Sequence, residues 1–160
     1  MLEEICRGDL GLITFIGHGD SGKLLLAGAD TLRSFELSAI DWSEGQPFVN
    51  LVCCSAAATW GQGGGRFEGL PVAALEAHAS AVVASFHPLY QGPAIMFARS
   101  FYEAALRPSE ALTVGEAILK ARQSVHEASG GNALLWAMSI LWGNPSVRLL
   151  RPANGRRTNY

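Results

Sequence analysis

A histidine followed by glycine, His18-Gly19, stands just beyond the apolar run Leu12-Ile13-Thr14-Phe15-Ile16, and Cys54 closes a second run, Phe48-Val49-Asn50-Leu51-Val52-Cys53. A thiol is a weak nucleophile until it loses its proton. An imidazole beside it accepts that proton and, once charged, stabilises the thiolate. The same imidazole can then protonate a leaving amine, so the pair suits acyl transfer, with His18 as base and Cys54 as carrier of the acyl group. Acyl transfer also needs donors for the oxyanion, and the backbone N–H groups of Gly19 and Cys54 can supply them. A Cβ at Gly19 would obstruct either an approaching carbonyl or the turn itself.

For these groups to meet, the two runs must be neighbouring strands that end at the same side of a sheet, where loops leave an open α/β sheet and functional groups gather. A third β-rich run ends in Ala81-Val82-Val83-Ala84-Ser85-Phe86. The three runs are spaced by about thirty residues, which is the pattern of parallel strands joined by crossovers. The first crossover predicts a short extended piece at Lys23 to Ala27 and a helix from about Leu32 to Ile40. The second predicts a loop through Gly61-Gln62-Gly63-Gly64-Gly65 and a helix over Phe67 to Ala77, with Leu70, Ala73, Ala74 and Ala77 on one face.

Further on, Phe97, Phe101, Ala104 and Ala105 share a face of a helix over Pro93 to Leu106. Thr113 and Glu116 have capping-box spacing ahead of the stripe Val114, Ala117, Ile118, Ala121 and Val125. Leu134 to Trp142, rich in apolar residues and tryptophan, predicts a fourth strand, and Ser146 to Leu150 an added edge. The expectation is one domain over residues 1–151 and a frayed polar tail over 152–160. Strand alternation turns Cys53 away from Cys54 and into the core, while Cys6 acquires no role.

Composition narrows the partners. A net charge of -2 leaves no basic excess for nucleic acid or an anionic membrane surface. No apolar run reaches the length of a membrane span, and the first residues do not read as a secretory leader. Three cysteines, two of them adjacent, make a poor disulfide framework and fit a reducing, cytoplasmic setting. No cofactor is implied.

Other readings compete for the same residues. Gly17-His18-Gly19-Asp20-Ser21-Gly22-Lys23 fits the frame of a phosphate-binding loop and follows a strand, so a nucleotide-binding protein is one alternative. Leu24, however, stands where a Ser or Thr would hold magnesium. Metal binding by Cys6, Cys53, Cys54 and His18 suffers from adjacent strand residues pointing apart. A catalytically silent scaffold or interaction module would keep the fold without turnover. Asp20 can orient His18, meet a cationic substrate or cap its turn, and Trp60 beside the glycine run can form a pocket wall or simply pack in a solvated linker. Val52, two positions before Cys54, brings no charge to a substrate pocket.

Ile16-Gly17-His18-Gly19 and Val52-Cys53-Cys54 with the small residues Ser55 to Ala58 resemble the motifs of CHAT domains, caspase-like peptidase domains related to separase. Glu68-Gly69-Leu70, the alanine-rich Ala81 to Pro88, Trp136-Ala137 and Gly143-Asn144-Pro145 follow in that family's order. The resemblance implies a caspase-hemoglobinase-like α/β fold, a three-layer sandwich with a mostly parallel sheet and helices on both faces. It implies a cysteine endopeptidase that cleaves a protein or peptide substrate through His18 and Cys54. The family's usual tryptophan in the strand-end turn is His87 here, which alters a pocket wall. Such domains carry further strands before the His-Gly strand, so the resemblance also implies an N-terminally incomplete domain, or an upstream segment or regulatory repeat domain that completes it.

Overall fold

A computed structural model describes residues 2–62, 66–107 and 110–150. The three apolar runs form β1 (Leu12–Ile16), β4 (Phe48–Val52) and β7 (Ala81–Ser85), preceded by a short helix α1 (Leu2–Ile5). They lie side by side and parallel, and β8 (Ser139–Gly143) closes the sheet antiparallel to β7, giving the order β1-β4-β7-β8. β4 and β7 are central, and β7 is buried at every position, which is why they read as apolar runs, with Asn50 and Ser85 as buried polar exceptions. β1 lies at the edge of the sheet and alternates between exposed and half-buried residues.

Each sheet face carries its own core. Val49, Leu51, Cys53, Val82 and Ala84 pack against Leu37 of α2 (Ser34–Ser38) and Leu70, Ala73 and Ala74 of α3 (Leu70–Glu76). On the other face, Phe48, Ala81 and Val83 meet Phe97, Phe101 and Ala104 of α4 (Gln91–Ala105) and the stripe from Val114 to Val125 of α5 (Val114–Ala128). This is the three-layer α/β arrangement expected from the sequence. The stripe on α5 is buried as its spacing predicts, and Thr113 and Glu116 make the reciprocal capping box. A polar link fastens α4 to the sheet: Tyr102 Oη accepts from Asn50 Nδ2 at 2.8 Å and lies 2.6 Å from Thr14 Oγ1.

Four local expectations need correction. The segment read as a helix over Leu32 to Ile40 begins as β3 (Thr31–Arg33), which pairs antiparallel with β2 (Lys23–Leu25) and leaves a helix of one turn and a little more in α2. The helix read from Phe67 starts only at Leu70. Before it, β5 (Trp60–Gln62) and β6 (Arg66–Glu68) form an antiparallel ladder. Gly69 sits between them and α3 with φ of 142°, and a Cβ there would meet the Ala58 carbonyl oxygen at 2.8 Å, so glycine is required.

The run Leu134 to Trp142 divides into α6 (Ala133–Trp136) and β8. Residues 146–150 add no strand. Instead the Val147 and Pro145 carbonyls accept the first N–H groups of α5, from Val114 at 2.8 Å and Gly115 at 2.9 Å. The predicted tail, 152–160, lies outside the described residues.

Candidate active site

The register of β1 against β4 sets the site. Thr14 pairs with Asn50 and Ile16 with Val52, and the ladder runs one step further through Gly17 N–H to the Val52 carbonyl at 3.2 Å. Counting on, His18 and Cys54 leave the two strands at equivalent positions, on chains spaced by about 4.8 Å in a sheet. Even-numbered residues of both strands face α4, as the Thr14 and Asn50 contacts with Tyr102 show. His18 is exposed and Cys54 half-buried.

Both line one cavity of about 470 Å³ between the strand ends and the start of α4, together with Ile16, Gly17, Val52, Cys53, Leu89, Gln91, Ala94, Ile95 and Ala98. Val52 is therefore a wall of the cavity that contains Cys54. Leu89 and the α4 residues were not singled out from sequence. Their signal was there, in Gln91, Ala94, Ile95 and Ala98 at helical spacing, on a different side of α4 from Phe97 and Phe101.

Cys53 is a different thiol. It is 1% exposed, sits in the core under α2 and α3, and its pKa is pushed up from 9.0 to about 12, by burial first and then by the neighbouring Cys54 and Asp20. Such a group stays protonated at neutral pH.

The turn after Cys54 is held from β7. Ser55 adopts a left-handed φ of 53°, its N–H donates to the His87 carbonyl at 3.3 Å, and Ala57 N–H donates to the Ser85 carbonyl at 2.8 Å. Ser85 Oγ also donates to the His87 carbonyl at 2.7 Å. His87 thus supports this turn through its backbone, while its exposed ring stands edge-on to Phe86 and does not line the cavity.

Beyond His18 the chain enters a β-bridge between Gly19 and Leu24. Its bonds run from Leu25 N–H to the His18 carbonyl at 2.9 Å and from Asp20 N–H to the Lys23 carbonyl at 3.0 Å, so the N–H of Gly19 itself takes no part in the pairing. A Cβ on Gly19 would lie 2.8 Å from the Lys23 carbonyl oxygen and 3.2 Å from Cys53 Sγ. Of the two reasons the sequence offers for glycine here, the turn is the one this geometry carries.

Asp20 caps that turn, its carboxylate accepting from Gly22 N–H at 2.9 Å and Lys23 N–H at 3.1 Å, with Lys23 Nζ at 3.9 Å. It does not line the cavity. Trp60 opens β5, and its side chain lies outside the described part of the chain.

The same geometry removes the phosphate-loop reading. That motif needs a helix N-terminus after its glycines, whereas Lys23 here begins β2 of a hairpin. Among the described residues, no three or more His, Cys, Asp or Glu side chains converge as metal ligands, and no helix is long and apolar enough to cross a membrane.

The family model for peptidase family C25 matches residues 2–150, nearly the whole chain. The chain belongs to peptidase family C25. No match is found among curated proteins. Solved structures share the fold of this C25 chain at low identity. One titled only as a protease superposes with a TM-score of 0.75 at 14% identity, over 93% of this chain and 37% of its own. The Arg-specific cysteine proteinase gingipain R superposes at 0.68 and 17% identity, over 88% of this chain and 34% of its own. Saccharomyces cerevisiae separase, in complex with securin, gives 0.61 and 21% identity, over 82% of this chain and 8% of its own. The C25 chain thus spans little more than a third of the first two relatives. C25 membership is thus joined by a fold shared with the Arg-specific cysteine proteinase gingipain R.

Proposed function

We propose that this chain carries an endopeptidase centre in which Cys54 is the nucleophile and His18 the general base. The observation that supports it most is the register of β1 on β4, which brings both residues off adjacent parallel strands into one cavity, while the neighbouring thiol, Cys53, is buried with its pKa raised. His18 takes the thiol proton, and the Cys54 thiolate attacks the substrate carbonyl carbon. The C–N bond breaks as the imidazolium protonates the leaving amine, and a thioester remains. Water, deprotonated by His18, hydrolyses the thioester and regenerates the thiol. The N–H groups of Gly19 and Cys54 stabilise the oxyanion in both halves, each contributing about 100- to 1,000-fold in rate.

The substrate is a protein or peptide. Separase in complex with securin and a complex of gingipain pro- and mature domains supply precedents for a protein partner bound to a chain of this fold. Within the caspase-like group, the finer resemblance to CHAT domains rests on motif order. The free thiols Cys6, Cys53 and Cys54 favour a reducing, cytoplasmic setting.

The test is labelling by a cysteine-directed electrophilic peptide at neutral pH in wild type, Cys54→Ala, Cys53→Ala and His18→Ala. Labelling should vanish in the first and third variants and persist in Cys53→Ala. Persistence in Cys54→Ala refutes the nucleophile, and silence in every form returns the chain to the scaffold reading.

A further inference from the structure

β7 is apolar from Ala81 to Ala84 and then ends on a hydroxyl, Ser85, that is 2% exposed. A hydroxyl buried to that degree costs stability unless it finds a partner, and this one donates to the His87 carbonyl at 2.7 Å. That carbonyl belongs to the connection that leaves the sheet, and its second lone pair accepts the Ser55 N–H at 3.3 Å. The Ser85 carbonyl accepts the Ala57 N–H at 2.8 Å, so one residue of the strand reaches the turn after Cys54 at two points. Within that turn Ser55 keeps a left-handed φ of 53°, a backbone conformation that residues with a side chain adopt rarely and hold only where neighbouring bonds fix it.

We infer that Ser85 is a positioning residue for acyl transfer: its hydroxyl fixes the His87 carbonyl, and through it the Ser55 N–H and the backbone of Cys54. That role rests on the Cys54 reading above. The Cys54 carbonyl and the Ser55 N–H share one planar peptide unit, so a fixed Ser55 N–H fixes rotation about the Cα–C bond of Cys54. On its other side Cys54 is held by the β1 ladder, which reaches the Val52 carbonyl through the Gly17 N–H at 3.2 Å. Clamped from both sides, the Sγ and the N–H of Cys54 keep one mutual geometry. A tetrahedral intermediate needs this, because its sulfur and its oxyanion are bonded to the same carbon. Without the hydroxyl, the His87 carbonyl keeps only the longer bond to Ser55, and the turn is free to relax out of its left-handed conformation. Sγ is then still present and ionisable, while the N–H no longer aims where the oxyanion forms.

Two small reagents that need no substrate pocket separate the sulfur from its aim. The Cys54 thiolate attacks the carbonyl carbon of p-nitrophenyl acetate, forms an oxyanion and expels p-nitrophenolate, whereas it displaces iodide from iodoacetamide with no oxyanion on the path. Acetylation is read from the p-nitrophenolate burst that Cys54→Ala lacks, and alkylation by mass spectrometry at Cys54, in wild type, Ser85→Ala, Ser85→Thr and Ser85→Val. Threonine and valine share one shape, so the difference between those two variants isolates the hydroxyl from packing. Acetylation should fall about tenfold in Ser85→Ala and Ser85→Val and return to within about threefold of wild type in Ser85→Thr, while alkylation changes by less than about twofold throughout. Equal acetylation in Ser85→Thr and Ser85→Val, or acetylation and alkylation that fall together, leaves Ser85 a purely structural residue and overturns its positioning role while Cys54 stands. A burst that survives Cys54→Ala, or none in wild type, removes the nucleophile and the role of Ser85 with it.

Discussion

Adjacent cysteines on one strand offer a direct trial of how far burial separates two thiols. Cys53 has its pKa raised from 9.0 to about 12, so at neutral pH its thiolate population falls about 1,000-fold below that of an ordinary cysteine. Part of this is offset, because a more basic thiolate is intrinsically the better nucleophile. With a Brønsted slope of about 0.4 to 0.5, ionisation alone should slow alkylation by about 30- to 60-fold. Enclosure at 1% exposure slows it further.

The exposed Cys6 serves as reference. Iodoacetamide modification followed site by site in Cys54→Ala should give a Cys53 rate at least about 30-fold below that of Cys6, rising about tenfold per pH unit toward pH 12. In urea the difference should disappear. The same shift predicts a stability trend. The fold favours the neutral thiol, so Cys53 contributes fully below about pH 9 and that contribution is lost as pH rises from 9.0 toward 12, by up to about 1.4 kcal/mol per unit. A folded chain in which Cys53 reacts within a fewfold of Cys6 would falsify the assignment of Cys53 to the sealed core.

Two substitutions test the scaffold behind the site. Tyr102→Phe removes the hydroxyl that satisfies the buried Asn50 amide, and should cost about 1–3 kcal/mol by urea denaturation. Adding Asn50→Leu should restore part of this, whereas strict additivity of the two changes would count against the link. Gly19→Ala forces a Cβ against the Lys23 carbonyl and Cys53 Sγ and should destabilise by about 1–3 kcal/mol on the same assay. A Gly19→Ala chain as stable as wild type would show that the hairpin yields at no cost.

The parallel strands were legible because β1, β4 and β7 are apolar runs long enough to show their character, and the α5 stripe because it repeats over successive turns behind a capping box. The β2–β3 and β5–β6 ladders were not. Three-residue strands hold too few alternations to reveal a period, and Leu32 and Leu37 suit one helix as well as a strand followed by a helix. The division of Leu134 to Trp142 into α6 and β8 was hidden likewise, since both pieces are apolar and only pairing with β7 distinguishes them. In the site, His18, Cys54 and Val52 were readable because strand ends and alternation are local properties. The wall from α4 was not, because which side of a helix meets a strand end depends on packing across the sheet, here fixed by Tyr102.

The ladder of β1 on β4 makes the identity of the cleft thiol a matter of parity. Residues of β4 from Phe48 onward reach the two layers in turn, and Cys54 lies on the α4 side because an even count separates it from Asn50, which is anchored to α4, whereas Cys53, which also borders the cavity, packs into the core under α2 and α3. One residue inserted inside β4, with the upstream pairing held, would carry Cys53 into the lattice position that Cys54 now fills, beside the unchanged His18. The tandem cysteines therefore give this strand a spare thiol in the adjacent frame, so that a length change lethal to a lone cysteine would here exchange one sulfur for another.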